Sequence, residues 1–389
     1  MVVVVDTLQD ASKGHVSRQP MFCTLWSPAA SNKAGKRTPP RSNEREDATM
    51  AHYIGLDAHS GTCVFVTIDE IGKVVSKMRV PTTEGFLLRY VRSLKGRKKL
   101  VVEESHISQW CYLTLKDEVD ELIVCNPVYL GRKQGAKDDF RDGLHLANEL
   151  RCGHLIPVHH EDTELWTLRT LVQAYLDTTK ELVQAKNRYK SIFRAQAIEV
   201  SGDAVYSDKS FLEKLHGVDH FVATNMFTHI EHLNASKKSY LPEFQRYRLK
   251  HPEIKRLCSV PGISLIRATI ITSLVCSPHR FANKHKFWAY CMLVKYIDKS
   301  DGMTYGSRAI HGRRELKSVF DGAALAVLQG DSALREYYDR LRTKQIPHKS
   351  AKKAVARRVA AICLSLLKGS DKYDDLYEVK RERSKRITV

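Results

Sequence analysis

The sequence lacks the features of disulfide-bonded, zinc-binding and membrane-spanning proteins. Its nine cysteines include no Cys-x-x-Cys pair, and several, such as Cys63 and Cys125, stand within apolar runs. An odd number of scattered cysteines in apolar surroundings is typical of reduced, buried thiols. No apolar run is long enough to cross a bilayer, and the run over 265–276 is interrupted by Arg267. We therefore expect a cytoplasmic protein without a membrane segment or a structural zinc site.

Acidic residues are too few to balance the basic ones. The chain holds 63 Lys and Arg against 44 Asp and Glu, a formal net charge of +19. Such an excess favours a polyanionic partner, and nucleic acid is the simplest one, although a soluble protein that is merely basic stays an alternative. With 389 residues, 43% of them apolar, the chain is not intrinsically disordered and can form two or three domains.

Residues 1–49 lack hydrophobic periodicity and are rich in Ser, Pro, Lys and Arg. The apolar stretch over 2–5 is too short for a signal-peptide core and has no basic region before it. Met50 stands directly before the first convincing strand. We expect either a disordered arm or a mis-called extension upstream of a natural start at Met50, and the sequence does not decide between them.

Residues 50–158 predict an α/β domain. Three β-rich runs, HYIGLD, CVFVTIDE and KVVSKMRV, are separated by turn signals and predict an antiparallel meander. Two further strands, KKLVVEE and ELIVCNP, alternate with three helices, which we expect over 84–94, 109–116 and 137–151. The order β-β-β-α-β-α-β-α is that of an RNase H-like (RuvC-like) domain.

The rest of the chain predicts helices. Over 159–252, apolar residues recur at three-, four- and seven-residue spacings, which predicts a long amphipathic helix, and a second helix is expected over 221–249. Together they predict a helical hairpin or coiled coil, either a spacer or oligomerisation arm or a pair that packs only on its own chain. Residues 253–370 predict a mainly α domain, and 371–389 a basic tail. From residue 301 onward, 20 Lys and Arg stand against 11 Asp and Glu.

Acidic residues stand where two apolar strands end. Asp57 follows the strand YIGL, and Glu103 follows LVV. Because the apolar residues are buried, the acids emerge at the edge of the sheet, and on neighbouring strands they would face one another. Asp139 and Asp142 are three residues apart, a spacing that puts both on one face of a helix.

Four carboxylates that converge in this way repel one another without a cation. Hard divalent ions with oxygen ligands, Mg²⁺ or Mn²⁺, are the natural partners. Two such ions about 4 Å apart can stabilise the attacking and the leaving oxygen at a phosphodiester. The pattern therefore predicts metal-dependent phosphoryl transfer or hydrolysis on DNA or RNA.

Each acid also has a structural interpretation. Acids at strand ends are commonly turn or capping residues, and an acidic pair on a helix is commonly a solvated face. Asp138 and Glu104 are neighbours that fit the site less well, Asp138 because Asp139 shares the Asp142 face better. Glu104 would point away from Glu103 in a continuing strand.

Several motifs together resemble one family. The segments YIGLDAHS, VVEES, KDDFRDGLHLANELRCG and SVPGISLIRATIITSL are similar to those of the DEDD-type insertion-sequence transposases, over about residues 52–370. The resemblance implies a RuvC-like nuclease domain, with Asp57, Glu103, Asp139 and Asp142 as its acids, joined to a C-terminal domain with a catalytic serine. It also implies a structured bridge RNA as guide, DNA as substrate, and dimers or tetramers.

The resemblance places the family's serine at Ser300, because HGRRELKSVFDGAAL resembles the helix that follows the serine loop. Asp301 departs from the family's usual Gly, and Gly302 follows it, so Ser307 is a second candidate. The serine is expected to attack a phosphodiester at the metal site of the same or another subunit and to form a transient protein–DNA ester. On the residues alone, a serine in Lys-Ser-Asp-Gly is a turn residue.

Two further features concern nucleic acid. Pro-Gly-Ile at 261–263 resembles a hairpin whose main-chain N–H groups contact phosphates, with a plain turn as the alternative. Segments such as AKKAVARR are expected to put positive charge on one helix face, where it binds phosphates or is simply solvated. The basic residues expected to bind nucleic acid are Arg308, Arg313, Arg314, Lys352, Lys353, Arg357 and Arg358.

Three functions stay open at this point. The first is an RNA-guided DNA transposase with a DEDD metal site and a serine. The second is a RuvC-like nuclease or junction resolvase that only hydrolyses and needs no serine, and the third is a nucleic-acid-binding protein whose site has decayed. His159 and His160 have no partner ligands at zinc spacing, and we expect both at the surface.

Overall fold

A computed structural model describes residues 50–127, 138–300, 303–369 and 372–375. The expectations for 1–49, and for all but four residues of the basic tail at 371–389, lie outside that range. Contacts within the chain divide it into two units, Met1–Val158 and His159–Val389.

The first unit is built on a mixed six-stranded sheet in the order β3-β2-β1-β4-β5-β6. The antiparallel β1-β2-β3 meander that the sequence predicts is confirmed, and β1, β4 and β5 run parallel. A sixth strand of two residues, antiparallel to β5, was not predicted. The strands are β1 (Ala51–Ala58), β2 (Thr62–Ile68), β3 (Val74–Pro81), β4 (Arg97–Glu103), β5 (Glu121–Cys125) and β6 (Pro157–Val158).

Burial along the strands follows their place in the sheet. After its first residue, β2 is buried throughout, because it is an inner strand covered on both faces, whereas β3 at the edge is largely exposed. In the described part of this unit, the helices are α1 (Glu84–Ser93), α2 (Ser108–Leu115) and α3 (Asp139–Cys152). All three lie within two residues of their predicted bounds.

Helix α3 positions the candidate site. Its buried side carries Gly143, Leu146, Ala147 and Leu150, a three- and four-residue spacing that turns one face to the sheet. Leu146 and Leu150 form a small core with Val101 of β4. Burying each leucine stabilises the contact by roughly 1.5–3 kcal/mol. A larger core, which includes Leu87, lies around α1 and α2.

The second unit is mostly helical. The predicted helical pair is confirmed as α4 (Glu164–Ala195) and α5 (Gly217–Lys250), which pack against each other. One part of the pair has its own core around Tyr189, Phe193 and Phe227. Another part, with Leu168 and Phe244, joins the core of the following helices. Those helices are α6 (Pro252–Leu257), α7 (Leu265–Val275), α8 (Lys284–Tyr290), α9 (Arg314–Val327), α10 (Ala333–Thr343) and α11 (His348–Lys368).

A two-stranded sheet interrupts the helices between α8 and α9. It consists of β7 (Lys295–Ser300) and β8 (Met303–Ala309). The expectation that Ser300 lies in a loop is therefore wrong, because Ser300 ends β7 and pairs with Met303, and Ser307 lies within β8. An Asp-Gly dipeptide between two extended runs is a two-residue hairpin signal, which the sequence interpretation overlooked. Within the described ranges, no helix is both long and apolar enough to cross a membrane.

Candidate metal site at the end of the central strand

Strand register puts Asp57 and Arg79 in one row across the sheet. Asp57 of β1 pairs with Val64 of β2, and Val64 pairs with Arg79 of β3. Directly paired residues on neighbouring strands project to the same face. Arg79 therefore shares a face with Asp57, although 22 positions of sequence separate them.

That face is the one that α3 covers. Gly55 lies two residues before Asp57 and so projects to the same side. A Cβ on Gly55 would stand 1.9 Å from the carbonyl oxygen of Gly143, so the α3 backbone rests directly on β1. A Cβ on Gly143 would stand 2.9 Å from Cγ2 of Val66. The two glycines permit this close approach, and it brings the first turn of α3 towards Asp57.

The first turn of α3 is rich in acids. Asp138 is the N-cap, and its side chain accepts a hydrogen bond from the backbone N–H of Phe140 at 3.1 Å. Asp139 is the first helical residue, and Asp142 follows one turn later. Carboxylates are stabilised at this end by the helix dipole and the free N–H groups. The cap role of Asp138 agrees with its assignment as a neighbour rather than a site residue.

Asp57, Asp139 and His59 come together. Ligand atoms of the three side chains all lie within 4.8 Å of one another. His59 Nε2 is 3.4 Å from Asp57 Oδ2, and Arg79 Nη2 is 2.8 Å from Asp139 Oδ2. The side chains of Asp57 and Asp139 are 14% and 24% exposed, and that of His59 is 49% exposed. The group is half-buried on the acid side and open on the histidine side.

The turn after β1 holds His59. The His59 N–H donates to the carbonyl of Thr62 at 3.1 Å, and the Thr82 hydroxyl donates to the His59 carbonyl at 2.6 Å. The Thr82 N–H donates to the carbonyl of Gly61 at 3.1 Å. Three hydrogen bonds thus fix the backbone of this turn. The Cα of His59, from which its side chain projects, therefore has a defined position.

Glu103 and Asp142 are near this group in the fold but outside it. Glu103 ends β4, and the last β1–β4 pair, Leu56 with Val102, lies one step before Asp57 and Glu103. The parallel register thus puts the two acids level with each other. The three ligand atoms that lie within 4.8 Å of one another belong to Asp57, His59 and Asp139, and Glu103 and Asp142 are not part of this group. Of the four predicted acids, the structure brings Asp57 and Asp139 together.

The donor set suits a divalent cation. Two carboxylates and an imidazole are all ordinary ligands, and the half-exposed histidine leaves the group accessible from solvent. Arg79 neutralises part of the charge of Asp139, so the acids can approach each other before a cation binds. The group can therefore hold a cation that activates or stabilises oxygens of a bound ligand.

Sequence reasoning missed His59 and Arg79. His59 had a signal, since it stands two residues after Asp57 and such residues project alike from an extended chain. Arg79 had none, because its partnership with Asp139 depends on strand register and helix placement. Its guanidinium also lies 5.6 Å from the centre of the Phe140 ring.

The Pro-Gly-Ile segment is a packed turn in the second unit. Gly262 has φ +80°, and a Cβ there would stand 2.4 Å from the carbonyl oxygen of Ala323. The Ile263 N–H donates to the Val260 carbonyl, and the Gly262 carbonyl accepts from Arg267 at 2.7 Å. The segment is thus a turn in which the N–H of Ile263 is already used within the chain. Contact of its other N–H groups with phosphates stays a prediction.

The basic residues of α11 do not share one face, contrary to the sequence expectation. At about 100° per residue, Lys353 and Arg357 lie about 40° apart, while Lys352 and Arg358 lie about 100° to either side. Buried alanines and valines occupy the positions between them. The Arg358 guanidinium stands 4.9 Å from the centre of the Tyr337 ring. Of the remaining basic candidates, Arg308 and Arg314 are exposed, and Arg313 caps α9.

The expectation that both neighbouring histidines lie at the surface is wrong for His160. His160 is 9% exposed and stacks on Trp166, with 4.7 Å between ring centres. Burial lowers its pKa to about 4, and the charges of Arg169, His159 and Arg313 add to this. His159 is half-buried, with its Nε2 at 2.5 Å from Glu161 Oε1. Both histidines lie just before the N-terminus of α4, and His160 packs on that helix through Trp166.

Comparison with known proteins gives two matching family models. Residues 54–196 match the DEDD transposase of IS110 elements, and residues 254–339 match a model described as transposase of the IS116/IS110/IS902 family. The chain is also 27% identical over 125 residues to an uncharacterized 43.6 kDa protein of insertion element IS110 from Streptomyces coelicolor. That stretch is 32% of this chain and 31% of the relative, so the chain spans about a third of the relative it matches.

Proposed function

The chain carries two IS110-type transposase domains, and from this premise we propose that it is an insertion-sequence transposase that cuts and rejoins DNA strands. The proposed mechanism uses a metal-dependent carboxylate site and a serine nucleophile. The observation that carries the proposal is the convergence of Asp57 and Asp139, with His59, within 4.8 Å. Both acids lie inside the segment that matches the DEDD transposase model.

The fold of the first unit supports the carboxylate half of the proposal. Its first five strands have the order β3-β2-β1-β4-β5, with an antiparallel meander beside parallel strands. We assign this arrangement to the RNase H-like (RuvC-like) class. In it, Asp57 lies on the central strand and Asp139 on the covering helix, and their carboxylate oxygens lie within 4.8 Å of each other. We divide the chain functionally into 50–158, 159–252 and 253–370, as the sequence predicts.

Asp57 and Asp139 are proposed to hold a divalent cation together with Glu103 and Asp142. The latter two acids are proposed to complete the set of metal ligands when DNA is bound. A bound Mg²⁺ or Mn²⁺ supplies charge stabilisation for the oxygens of the phosphodiester under attack. Arg79 holds Asp139 at the start of α3 through its 2.8 Å ion pair. The glycine contact between α3 and β1 keeps the two acids in reach of each other.

Ser300 is proposed as the nucleophile. Its Oγ forms a bond to phosphorus while the bond from phosphorus to the leaving strand oxygen breaks. The proton of the hydroxyl passes to that leaving oxygen, directly or through a base at the site, so the step balances without another reactant. Reversal with a different strand end rejoins the DNA and frees the serine. Ser307, seven residues further on, is the second candidate.

Partners follow from the same proposal. The net charge of +19 suits a complex with DNA and a structured guide RNA. Arg308, Arg313 and Arg314 are proposed to bind phosphates near the β7–β8 sheet. Lys352, Lys353, Arg357 and Arg358 are proposed to do so around α11. The helical pair α4–α5 is proposed as the arm through which dimers or tetramers assemble.

The deciding experiment is covalent trapping. The full chain is mixed with Mg²⁺, junction DNA of its element and the flanking transcript, the reaction is quenched in denaturant, and DNA-linked peptides are mapped. An adduct at Ser300 that is absent from Ser300→Ala and from Asp57→Asn is the expected result. Ser318→Ala, at an exposed position of α9, is the matched control and should form the adduct normally.

Other outcomes of the trapping experiment separate the alternatives. An adduct at Ser307 would support the same mechanism, with Ser307 rather than Ser300 as the nucleophile. Cleaved DNA without any adduct would replace the proposal by a metal-dependent nuclease or junction resolvase. Intact DNA that nevertheless binds the protein would point to a decayed enzyme or to a missing component of the reaction.

A further inference from the structure

The candidate metal site contains a nitrogen donor that a four-carboxylate site does not need. His59 Nε2 lies 3.4 Å from Asp57 Oδ2, and both atoms belong to the group that lies within 4.8 Å with a carboxylate oxygen of Asp139. Glu103 and Asp142 are outside this group. The geometry thus groups an imidazole nitrogen with the carboxylates of Asp57 and Asp139.

We infer that His59 is a metal ligand and that its nitrogen makes this site prefer Mn²⁺ over Mg²⁺. The inference rests on the proposed function, since it concerns the cation of that same carboxylate site. It adds a ligand and a metal preference that the four acids do not imply.

The distances are compatible with a shared cation. Ligands at about 2.1–2.2 Å from one ion stand about 3 to 4.4 Å apart, depending on whether they are neighbours or opposite. No separation in the group is larger than 4.8 Å, so none exceeds that range by more than a few tenths of an ångström. A small rotation of the His59 side chain, which is 49% exposed, closes the difference.

A plain ion pair between His59 and Asp57 explains the arrangement less well. Their separation of 3.4 Å is longer than an ordinary N–H···O hydrogen bond of about 2.7–3.2 Å. An ion pair whose histidine is half-exposed contributes little to stability, about 0–1 kcal/mol. The backbone of the turn is nevertheless fixed by its bonds to Thr62 and Thr82, so the histidine is held near the acids without being locked onto one of them.

Ligand chemistry gives the direction of the preference. Mg²⁺ selects oxygen ligands and keeps several of its waters, so it gains little from an imidazole. Transition-metal dications accept imidazole nitrogen readily, and Mn²⁺ is the one that also suits carboxylates. Two carboxylates and one imidazole therefore favour Mn²⁺.

The test measures binding of MnCl₂ and MgCl₂ to the full-length protein, by Mn²⁺ electron paramagnetic resonance with Mg²⁺ as competitor. The wild type is expected to bind Mn²⁺ at least about tenfold more tightly than Mg²⁺. His59→Gln should lose about tenfold in Mn²⁺ affinity and less than about twofold in Mg²⁺ affinity, in line with typical ligand-shell losses. His106→Gln changes an exposed histidine three residues beyond Glu103 and should alter neither affinity.

A pulsed resonance measurement detects the nitrogen directly, and histidine variants assign it to one residue. Mn²⁺ in the wild type should couple to a histidine nitrogen, and ¹⁵N-histidine labelling should shift that coupling to the ¹⁵N frequency. The coupling should persist in His106→Gln and vanish in His59→Gln. Coupling that survives His59→Gln, or no coupling in the wild type, overturns the inference whether or not the variant folds well.

Asp57→Asn separates failure of this inference from failure of the proposed function. If Asp57→Asn abolishes Mn²⁺ binding while His59→Gln leaves the Mn²⁺ preference unchanged, the carboxylate site stands and the histidine ligand is wrong. If Asp57→Asn leaves Mn²⁺ binding unchanged, both the inference and the proposed metal site fail.

Discussion

The two halves of the proposed active site are built in different ways. The carboxylate half lies on an inner strand of a six-stranded sheet, under a helix whose backbone touches that strand, and beside an ion pair at 2.8 Å. The serine half lies at the end of β7 in a two-stranded sheet whose register shifts between Asp298 and Lys299.

The difference concerns how each half is held in place. Sheet register, close packing and a helix cap all act on Asp57 and Asp139, so several kinds of contact hold the pair in place. Two strands without a larger sheet are held mainly by their own pairing and by what packs on them. We therefore expect the carboxylate half to be formed before nucleic acid binds, and the serine half to depend more on its bound partners.

The largest effect is expected from Gly55→Ala, which breaks the carboxylate half. The new Cβ would stand 1.9 Å from the Gly143 carbonyl, where backbone rather than a flexible side chain must move. We expect a loss of about 3–5 kcal/mol in the free energy of unfolding, together with loss of strand cleavage. Urea denaturation and cleavage assays measure the two effects. Gly85→Ala, where a Cβ meets nothing within 4 Å, is the control. Equal stability of the two variants would show that α3 does not rest on β1.

Asp57→Asn tests the chemistry of the same half while preserving its shape. Asparagine keeps the size of the side chain but removes the charge that a cation needs, so cleavage should fall about a thousandfold, an increase of about 4 kcal/mol in the barrier. Thermal unfolding should change little. Asp138→Asn is the matched control, because Asn caps a helix as well as Asp does, and it should keep cleavage within a few-fold. Similar losses in both variants would remove the distinction between the site acid and the cap.

His160 makes the second unit sensitive to acid. Its pKa is lowered to about 4 by burial and by nearby positive charge, so between about pH 6.5 and 4 the unfolded chain binds a proton that the folded chain does not. Stability is thus highest above about pH 6.5 and falls as the pH drops towards 4, by about 3 kcal/mol in total. His160→Phe keeps an aromatic ring against Trp166 and should flatten this dependence in urea titrations followed by tryptophan fluorescence.

The control for the acid dependence is His279→Gln, at an exposed position of the same unit. It should keep the wild-type pH profile. A His160→Phe variant that loses stability in acid as steeply as the wild type would mean that other groups cause the dependence.

The smallest effect is expected at the basic surface of the second unit. Lys353→Ala should weaken DNA or RNA binding a few-fold, without sequence preference, and lower the salt slope by about one. Binding titrations at several salt concentrations measure that slope. Lys238→Ala, at an exposed position of α5, is the comparison. An unchanged slope in Lys353→Ala would remove this residue from the phosphate contacts.

Much of the fold could be predicted because local patterns decide it. The strands around Ile54, Phe65 and Leu100 are runs of β-branched and aromatic residues with turn signals between them, and the long helices show apolar spacing without interruption. The β7–β8 sheet was not predicted, because its strands contain lysine, serine and glycine, a composition that is typical of loops. Strand β6 was missed because two residues carry no periodicity.

The sequence by itself determined the chemical inventory of this protein. It placed Asp57 at the end of an apolar strand, Asp139 at the start of a helix, and an excess of positive charge that suits nucleic acid. Tertiary structure alone decided which groups meet. Arg79 reaches Asp139 through the pairing of three strands, and Asp139 meets Asp57 because two glycines let α3 rest on β1. Register and close packing join residues far apart in the chain, and no local pattern records them.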